Sequence, residues 1–228
     1  MKLLLFDVDL TLISTGGAGL RALNRAFQEL LDIDNAMDGI IPSGKTDPGI
    51  VREILTARSM DTDLASFESI IDRYLTFLRE EVENTTVYRV LPGIIPLLDQ
   101  LSGRPDVLLG LATGNVEPGA RIKLKPGNLN PYFAFGGFGS DSENRTALVR
   151  RAAEVAEVRC GEKLSPEDVF VIGDTPLDVA AGRGNGFRTV GVGTGQYSVE
   201  ELRNCGATLV ISDFATDRDQ FLRAIFME

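Results

Sequence analysis

Short runs of apolar residues recur along this chain, and each is followed by a turn and a stretch with helical periodicity. The runs cover residues 2–6, 107–112, 169–172, 188–192 and 208–211. Nearly continuous apolar runs are typical of strands buried on both faces of a parallel sheet. Strands that alternate with helices predict an α/β fold with such a sheet.

Capping residues mark the starts of two helices. Ser165 precedes Pro166, the pattern of an N-cap followed by proline in the first helical turn. Ser198 and Glu201 have the spacing of a capping box, in which two side chains satisfy backbone N–H groups reciprocally. We therefore expect a helix to begin after each serine.

The stretch 17–88 breaks the alternation, because it contains no run typical of a buried strand. Its apolar residues recur at helical spacing in two stripes. The stripes consist of Leu23, Ala26, Phe27, Leu30 and Leu31, and of Phe67, Ile70, Ile71, Tyr74, Phe77 and Leu78. We interpret residues 17–88 as a helical cap inserted into an α/β core that comprises residues 1–16 and 89–228.

The composition restricts the chemistry open to this chain. Hydrophobic residues at 43% and charged residues at 25% are ordinary for a globular protein and exclude disordered, collagen-like and coiled-coil classes. The chain has no histidine, which excludes Ser-His-Asp and Cys-His catalysis and histidine-bound zinc. Catalysis would depend on carboxylates, lysine, hydroxyl groups and the backbone.

Charge and cysteine content indicate the setting. The net charge of −10 repels phosphate backbones, so we expect no nucleic-acid partner. Cys160 and Cys205 are too few for a disulfide framework and indicate reduced thiols. Asp7 and Asp9 interrupt the first apolar run, and no run reaches about 20 residues, so we expect no signal peptide or membrane span. These features predict a cytoplasmic protein.

Acidic residues follow two of the predicted strands. Asp7 and Asp9 follow the first strand and lie on one side of it by the period-two geometry. Asp174 follows the run 169–172, and Asp178 lies one helical turn further on. Ligand sites in open α/β sheets lie off the carboxyl ends of strands. Because close carboxylates repel each other without a cation, their convergence favours Mg²⁺, which also binds substrate phosphate.

A third strand end carries polar groups of another kind. Thr113, Gly114 and Asn115 follow the run 107–112. A hydroxyl group and open backbone N–H groups beside glycine can hold an anionic oxygen. We expect these residues to bind substrate.

Together these motifs resemble those of the haloacid dehalogenase superfamily of phosphohydrolases over essentially the whole chain. The first, second and fourth motifs of that superfamily are matched by Asp7-x-Asp9-x-Thr11, by Thr113, and by Gly173-Asp174-Thr175 with Asp178. The resemblance implies a Rossmann-like parallel sheet with a C1-type cap, as in the phosphoglycolate-phosphatase-like branch. The loop from Gly44 to Asp47 resembles a cap loop of that branch, which implies that Lys45 reaches the substrate.

The resemblance also implies an activity. The expected reaction is Mg²⁺-dependent hydrolysis of a small phosphorylated metabolite, with phosphoglycolate-like substrates favoured, through an aspartyl-phosphate. Asp7 would be the nucleophile and Asp9 the general acid and base. Asp7, the Asp9 carbonyl and Asp174 would hold Mg²⁺, supported by Asp178. Thr113 and its neighbours would hold the phosphoryl oxygens.

Two positions depart from the family pattern. The third motif is a cation, and both Arg145, after the strand-like segment 133–138, and Lys123, on the helix after Thr113, fit it. We favour Lys123, because some relatives supply the lysine from that helix, and keep Arg145 as the alternative. Leu10 stands where the phosphatases usually have glycine, which we expect to alter the leaving-group side.

Two other classes share parts of the pattern. Gly39–Thr46 matches the P-loop motif of nucleotide hydrolases, which requires a strand before it and a helix after it. The preceding segment 32–38 is no buried strand, and Pro48-Gly49 interrupts the following turn. A non-enzymatic phospho-acceptor domain also carries an acidic cluster at a strand end, but it leaves the inserted helices unexplained. Mg²⁺-dependent cleavage of p-nitrophenyl phosphate distinguishes the phosphatase from the phospho-acceptor.

Overall fold

The computed structural model describes residues 1–60 and 64–226. Residues 61–63 of the predicted cap and 227–228 of the predicted core lie outside this part. The strands are β1 (Lys2–Phe6), β2 (Ile13–Ser14), β3 (Arg89–Val90), β4 (Val107–Thr113), β5 (Gly136–Phe138), β6 (Val169–Gly173), β7 (Arg188–Val192) and β8 (Leu209–Ile211). The helices are α1 (Ala18–Leu31), α2 (Asp47–Ala57), α3 (Leu64–Asn84), α4 (Ile94–Ser102), α5 (Glu117–Leu124), α6 (Arg145–Cys160), α7 (Pro176–Gly184), α8 (Val199–Asn204) and α9 (Arg218–Phe226).

Six strands form the predicted parallel sheet, in the order β5-β4-β1-β6-β7-β8. Strand β1 lies between β4 and β6, with Phe6 opposite Leu111 on one side and Ile172 on the other. The α/β fold predicted from the apolar runs is confirmed. Only the last three residues of the predicted strand-like segment 133–138 form a strand, β5. A 3-10 turn at Asn130–Tyr132 directly precedes the segment, and the chain pairs with the sheet only from Gly136 onwards.

The alternation of side chains along β1 explains why the run is apolar throughout. Leu3 and Leu5 are fully buried in a cluster with residues of α6, whereas Leu4 and Phe6 are fully buried in a cluster with residues of α4 on the other face. Both faces of a central parallel strand are covered by helices, so neither tolerates a polar side chain. This packing anchors β1 and leaves its carboxyl end at the edge of the sheet.

Helices α1, α2 and α3 pack around a hydrophobic cluster of their own. Its fully buried members include Phe27, Ile54 and Leu78, one from each helix. The two predicted helical stripes therefore lie on the contact surfaces of α1 and α3, except for Leu30, which is exposed. Val116, which precedes α5, also belongs to this cluster, so the inserted helices rest on the loop that follows β4.

The two connections to the inserted helices are hydrogen-bonded to each other. Strands β2 and β3 pair antiparallel, with Ile13 opposite Val90, and Leu91 N–H donates to the Leu12 carbonyl at 2.9 Å. The chain thus leaves and re-enters the α/β part at one place. The division into a core of residues 1–16 and 89–228 and a cap of residues 17–88 remains a prediction.

The capping box at Ser198 and Glu201 is confirmed at the start of α8. The helix expected after Ser165 is wrong, because Pro166–Asp168 forms only a 3-10 turn and β6 begins at the next residue, leaving no room for a helix. In the described residues, no helix combines the length and the apolar character that crossing a membrane requires.

Candidate active site

The site lies where three neighbouring strands end. Asp7 follows β1, Thr113 ends β4, and Asp174 follows β6, so the strand order places these residues side by side. The carboxyl ends of parallel strands meet at one edge, where ligand sites in open α/β sheets occur. A cavity of about 250 Å³ opens at this edge and is lined by all three residues.

Asp7 is almost completely buried, with 6% of its surface exposed. Its Oδ1 lies 3.1 Å from Nη2 of Arg145. Burial raises the pKa of Asp7 to about 7, and the nearby carboxylates of Asp178 and Asp9 add to this rise, although Arg145 opposes it. A cation bound beside Asp7 would offset the burial and the repulsion that disfavour its charged form.

Asp174 and Asp178 complete an acidic cluster with Asp7. One carboxylate oxygen of each lies within 4.8 Å of the others, and all three residues are buried. Burial, together with Asp7 and Asp178, raises the pKa of Asp174 to about 8. Thr11 donates to Asp174 Oδ1 at 3.2 Å.

The donor set of this cluster fits a hard divalent cation, because it offers only carboxylate oxygens that repel one another without one. Asp178 is already engaged: its Oδ2 accepts from the N–H and the hydroxyl group of Thr175, and its Oδ1 accepts from Arg145. Asp178 therefore orients Arg145 and Thr175, and Asp7 and Asp174 are the carboxylates left to hold a metal ion.

Asp9 points away from this cluster. Its Oδ2 accepts hydrogen bonds from Lys123 Nζ at 2.7 Å and from Asn115 Nδ2 at 2.8 Å. Asn115 also donates to the hydroxyl oxygen of Thr113 at 2.8 Å, so the residues after β4 are tied to Asp9. The Asp9 side chain remains 41% exposed, whereas that of Lys123 is 7% exposed. Asp9 thus lines the cavity while Lys123 and Asn115 hold its carboxylate.

Both candidate cations reach the site, but they contact different aspartates. Arg145, the first residue of α6, lies against Asp7 and Asp178, with Nε 3.0 Å from Asp178 Oδ1. Its Nη1 also donates to the Gly44 carbonyl, 3.0 Å away, in the loop before α2. Lys123 is buried in α5 and contacts Asp9. The two positions that compete in the sequence therefore both belong to the site.

The loop before α2 covers the cavity. Lys45 lines it, but its Nζ is paired with Glu53 Oε2 at 2.5 Å. A Cβ atom on Gly114 would lie 2.1 Å from the Lys45 carbonyl oxygen, so only glycine allows the loop to approach this closely. Gly114 therefore has a packing role beside its expected substrate contact.

Two site residues on the inserted helices, Asp47 and Tyr74, are missing from the sequence-based set. Both are buried and line the cavity, and Tyr74 donates a hydrogen bond to Asp47. Burial raises the pKa of Asp47 to about 6, although Lys123 opposes the rise. In the sequence, Tyr74 is one of the residues of an apolar helical stripe, so nothing there indicates a role in the site. Asp47 belongs to the same loop motif as Lys45, and that motif was a signal for including it among the candidate site residues.

A third missed residue is Gly195, in the glycine-rich loop after β7. A Cβ atom at this position would lie 1.9 Å from Asp174 Oδ2. The loop thus packs directly against the acidic cluster, and a larger residue would displace Asp174. The alternating glycines Gly191, Gly193 and Gly195 are visible in the sequence, but they lack the spacing of a dinucleotide-binding motif and gave no reason to assign a site there.

Leu10 adopts an unusual backbone conformation between Asp9 and Thr11. Its φ is 58°, in the left-handed region that favours glycine. Its carbonyl accepts from the Thr194 hydroxyl group at 2.5 Å, and its side chain lines the cavity. The turn after β1 therefore keeps the conformation suited to glycine while adding a leucine side chain.

The P-loop alternative lacks its structural context. Residues 32–46 are all described, and they form turns rather than a strand that leads into the glycine-containing segment. The segment Gly39–Thr46 is a loop between α1 and α2, so the pattern there is fortuitous.

Comparison with known proteins agrees with this geometry. A family model described as haloacid dehalogenase-like hydrolase matches residues 4–192. The chain belongs to the haloacid dehalogenase-like hydrolase family. A search of curated proteins found no match.

Solved structures share the fold over nearly their full lengths. A hydrolase from Pseudomonas syringae is 20% identical with a TM-score of 0.74, covering 98% of this chain and 99% of that one. A predicted phosphatase from Clostridium acetobutylicum is 21% identical, with a TM-score of 0.73 and coverage of 97% and 98%. A predicted phosphoglycolate phosphatase from Haemophilus somnus is 17% identical, with a TM-score of 0.71 and the same coverage. At these identities the similarity establishes the fold.

Proposed function

We propose that this hydrolase is a Mg²⁺-dependent phosphatase that cleaves a small phosphomonoester through an aspartyl-phosphate on Asp7. The observation that carries the proposal is the placement of Asp7, buried at the end of β1, 3.1 Å from Arg145 and beside Asp174. A carboxylate nucleophile splits a difficult displacement into two easier ones. The site supplies Arg145 as a cation beside Asp7, and the carboxyl group of Asp9 lines the same cavity.

In the first step, an Asp7 oxygen attacks phosphorus and the bond from phosphorus to the leaving oxygen breaks. Asp9 gives its proton to that oxygen, so an alcohol leaves rather than an alkoxide. Asp9 suits this role because its side chain faces the cavity two residues from Asp7.

In the second step, the Asp9 carboxylate takes a proton from water, and the water oxygen attacks phosphorus. The bond from phosphorus to the Asp7 oxygen breaks, which releases inorganic phosphate and regenerates the Asp7 carboxylate. Lys123 holds the Asp9 carboxylate in place for this step, because its ammonium lies 2.7 Å from Asp9 Oδ2.

Charge on the transferring phosphoryl group needs fixed donors at its oxygens. Arg145 is suited to this task because it contacts the nucleophile itself. The hydroxyl group of Thr113 and the backbone N–H groups of Gly114 and Asn115 border the same cavity. We therefore give Arg145 the phosphoryl oxygens and Lys123 the support of Asp9, so that both cations take part.

Asp7, Asp174 and the Asp9 carbonyl would hold the Mg²⁺ ion. When bound, the ion supplies positive charge that offsets the repulsion between the Asp7 carboxylate and the substrate phosphate. Asp178 supports this arrangement by holding Arg145 and Thr175 in place.

For the substrate, we propose a small phosphorylated metabolite of the phosphoglycolate type. Lys45 is the residue available for a carboxylate on the leaving group, and it would exchange Glu53 for the substrate. Lys45→Ala should then raise the KM for phosphoglycolate several-fold and leave that for p-nitrophenyl phosphate unchanged. An equal KM for phosphoglycolate in both proteins would argue for a substrate without a second anionic group.

Replacing Asp7 by Asn tests the proposed reaction itself. An amide oxygen cannot form the aspartyl-phosphate, so Mg²⁺-dependent hydrolysis of p-nitrophenyl phosphate should fall by at least about 10⁴-fold, the scale for removing a nucleophile. Rapid quench should detect a phosphorylated protein in the wild type and none in Asp7→Asn. An unchanged circular dichroism spectrum would serve as the folding control. Turnover close to that of the wild type would refute the proposal.

A further inference from the structure

Asp47 is a buried acid that the proposed reaction does not use. It is the first residue of α2, and its N–H donates to the Gly114 carbonyl at 2.7 Å. Its Oδ2 accepts from the Val116 N–H at 3.0 Å, and Tyr74 donates a hydrogen bond to the same carboxylate. Asp47 therefore fastens the inserted helices to the loop between β4 and α5.

The ammonium group of Lys123 lies close to the same helices. A Cβ atom on Gly19, in α1, would lie 3.4 Å from Lys123 Nζ and 3.8 Å from the Tyr74 hydroxyl oxygen. Burial alone would lower the pKa of Lys123, but the charges of Asp9 and Asp47 outweigh it and raise that pKa. The ammonium thus contacts Asp9 on the sheet side, and the charge of Asp47 acts on it from the side of the inserted helices.

A purely structural role explains Asp47 incompletely. A carboxylate in the first turn of α2 and beside the start of α5 is favourable, but this benefit is also available to a carboxylate that is only partly buried. Burying a carboxylate is costly unless a cation and hydrogen bonds compensate. The other two cations that line the cavity pair with carboxylates other than Asp47, since Arg145 pairs with Asp7 and Asp178, and Lys45 pairs with Glu53. Lys123 is the cation whose field reaches Asp47.

We propose that Asp47 is a positioning residue for the reaction, which holds the Lys123 ammonium against Asp9 from the inserted helices. This proposal rests on the proposed function. Asp9 reaches its working geometry only when α2 is seated on the loop after β4, because that contact places Asp47. The inserted helices therefore contribute to the proton-transfer group as well as covering the cavity.

Asp47→Asn provides the first test, because an amide oxygen can still accept from Val116 while the charge beside Lys123 is lost. We expect kcat for an alkyl phosphate to fall about 10- to 100-fold, the scale for groups that orient a functional side chain, with little change in KM. The phosphorylation burst with p-nitrophenyl phosphate should fall much less, because its leaving group needs little protonation. Tyr74→Phe should produce the same selectivity with a smaller loss.

Arg52→Gln is the matched control. Arg52 also lies on α2 and binds Glu143 on the other side of the interface, with Nε–Oε1 and Nη2–Oε1 distances of 3.0 and 2.6 Å. The change removes this exposed ion pair of α2 and leaves the contacts of Asp47 with Gly114 and Val116 in place. The ratio of alkyl phosphate to p-nitrophenyl phosphate turnover should therefore match the wild type. A loss in Asp47→Asn with the same unchanged ratio would overturn the positioning role.

A double-mutant cycle completes the test. If Asp47 acts through Lys123, adding Asp47→Asn to Lys123→Met should reduce kcat no further than Lys123→Met alone. Multiplicative losses in a phosphatase-active protein would overturn this proposal and leave the proposed function standing. A wild-type protein without Mg²⁺-dependent phosphatase activity would instead overturn the proposed function, and the positioning role with it.

Discussion

The two sides of the site, one around Asp7 and one around Asp9, are built differently. On the Asp7 side, Arg145 and Asp178 both follow strands of the sheet, and one hydrogen bond, to Gly44, reaches the loop before α2. On the Asp9 side, Lys123 lies beside Gly19 of the inserted helices, and the charge of Asp47, on the same helices, acts on it.

The nucleophile and the acid therefore depend on different parts of the molecule. The Asp7 side is held by strands that are buried on both faces and cannot shift without breaking the core. The Asp9 side includes contacts across the interface with α1, α2 and α3. Changes to the groups around Lys123, such as Asp47 and Tyr74, should therefore affect proton transfer before they affect attack on phosphorus.

Asp9→Asn should produce the largest difference between the two sides. The amide cannot donate the proton that an alkoxide needs, so turnover of an alkyl phosphate should fall by about 10²- to 10⁴-fold, the range for general acid–base catalysis. With p-nitrophenyl phosphate, rapid quench should show a burst of phosphorylated Asp7 followed by slow turnover, since water activation is also lost. Equal losses on both substrates without a burst would mean that Asp9 serves structure or metal binding.

Replacing Arg145 or Lys123 should affect the turnover of the two kinds of substrate differently. Arg145→Ala should reduce kcat by about 10²- to 10³-fold on alkyl and p-nitrophenyl phosphates alike, because it removes a donor from the phosphoryl oxygens. Lys123→Ala should reduce alkyl phosphate turnover by at least about 10²-fold and p-nitrophenyl phosphate phosphorylation less. Steady-state and burst kinetics on both substrates measure this. A mild effect of Arg145→Ala with equal losses in Lys123→Ala would give the phosphoryl oxygens to Lys123.

Metal binding should depend on pH through the Asp7 side. The raised pKa values of about 7 for Asp7 and about 8 for Asp174 mean that protons compete with Mg²⁺ below these values. The apparent Mg²⁺ affinity should therefore rise up to about tenfold for each proton displaced per pH unit between about pH 6 and 8. Isothermal titration calorimetry in buffers of different ionisation enthalpy would count the protons released. A pH-independent affinity would contradict these pKa values.

The same groups set the stability of the metal-free protein. The folded state keeps protons on Asp7 and Asp174 up to about pH 7–8, whereas the unfolded chain loses them near the ordinary value of 3.8. Since the folded state then binds more protons, the free energy of unfolding in EDTA should fall as the pH rises from about 4 to 8. Mg²⁺ should raise Tm most at the upper end, and Asp174→Asn should flatten the dependence.

Substitutions of Leu10 should give the smallest effect, a change in thermal stability. The smaller residue, glycine, should be the more stable replacement. At a φ of 58°, Leu10→Ala loses apolar contacts and keeps the left-handed strain, whereas Leu10→Gly relieves a strain of about 1 kcal/mol. Leu10→Gly should therefore melt above Leu10→Ala, although it removes more side chain. Thermal unfolding of both variants checks this. The reverse order would mean that side-chain packing at Leu10 outweighs the backbone strain.

Much of the fold and site follows from local pattern. The run 2–6 is apolar at every position, which a strand covered on both faces requires, and β1 has these bounds. Asp7, Thr113 and Asp174 meet because parallel strands end at one edge, so their positions after apolar runs sufficed to place them together. The helix expected after Ser165 was wrong because a local capping signal carries no information about the length available before β6.

By itself, the sequence determined the sheet, the inserted helices and the strand-end aspartates, since these depend on periodicity and position along the chain. Which cation contacts which aspartate depends on the tertiary structure. Lys123 and Arg145 are both basic residues that fit the third motif in the sequence. The packing of α5 and α6 places Lys123 against Asp9 and Arg145 against Asp7. Asp47 likewise gained its place beside Lys123 from contacts between segments far apart in the chain. Electrostatic interactions depend on distance and burial, and a one-dimensional pattern contains neither.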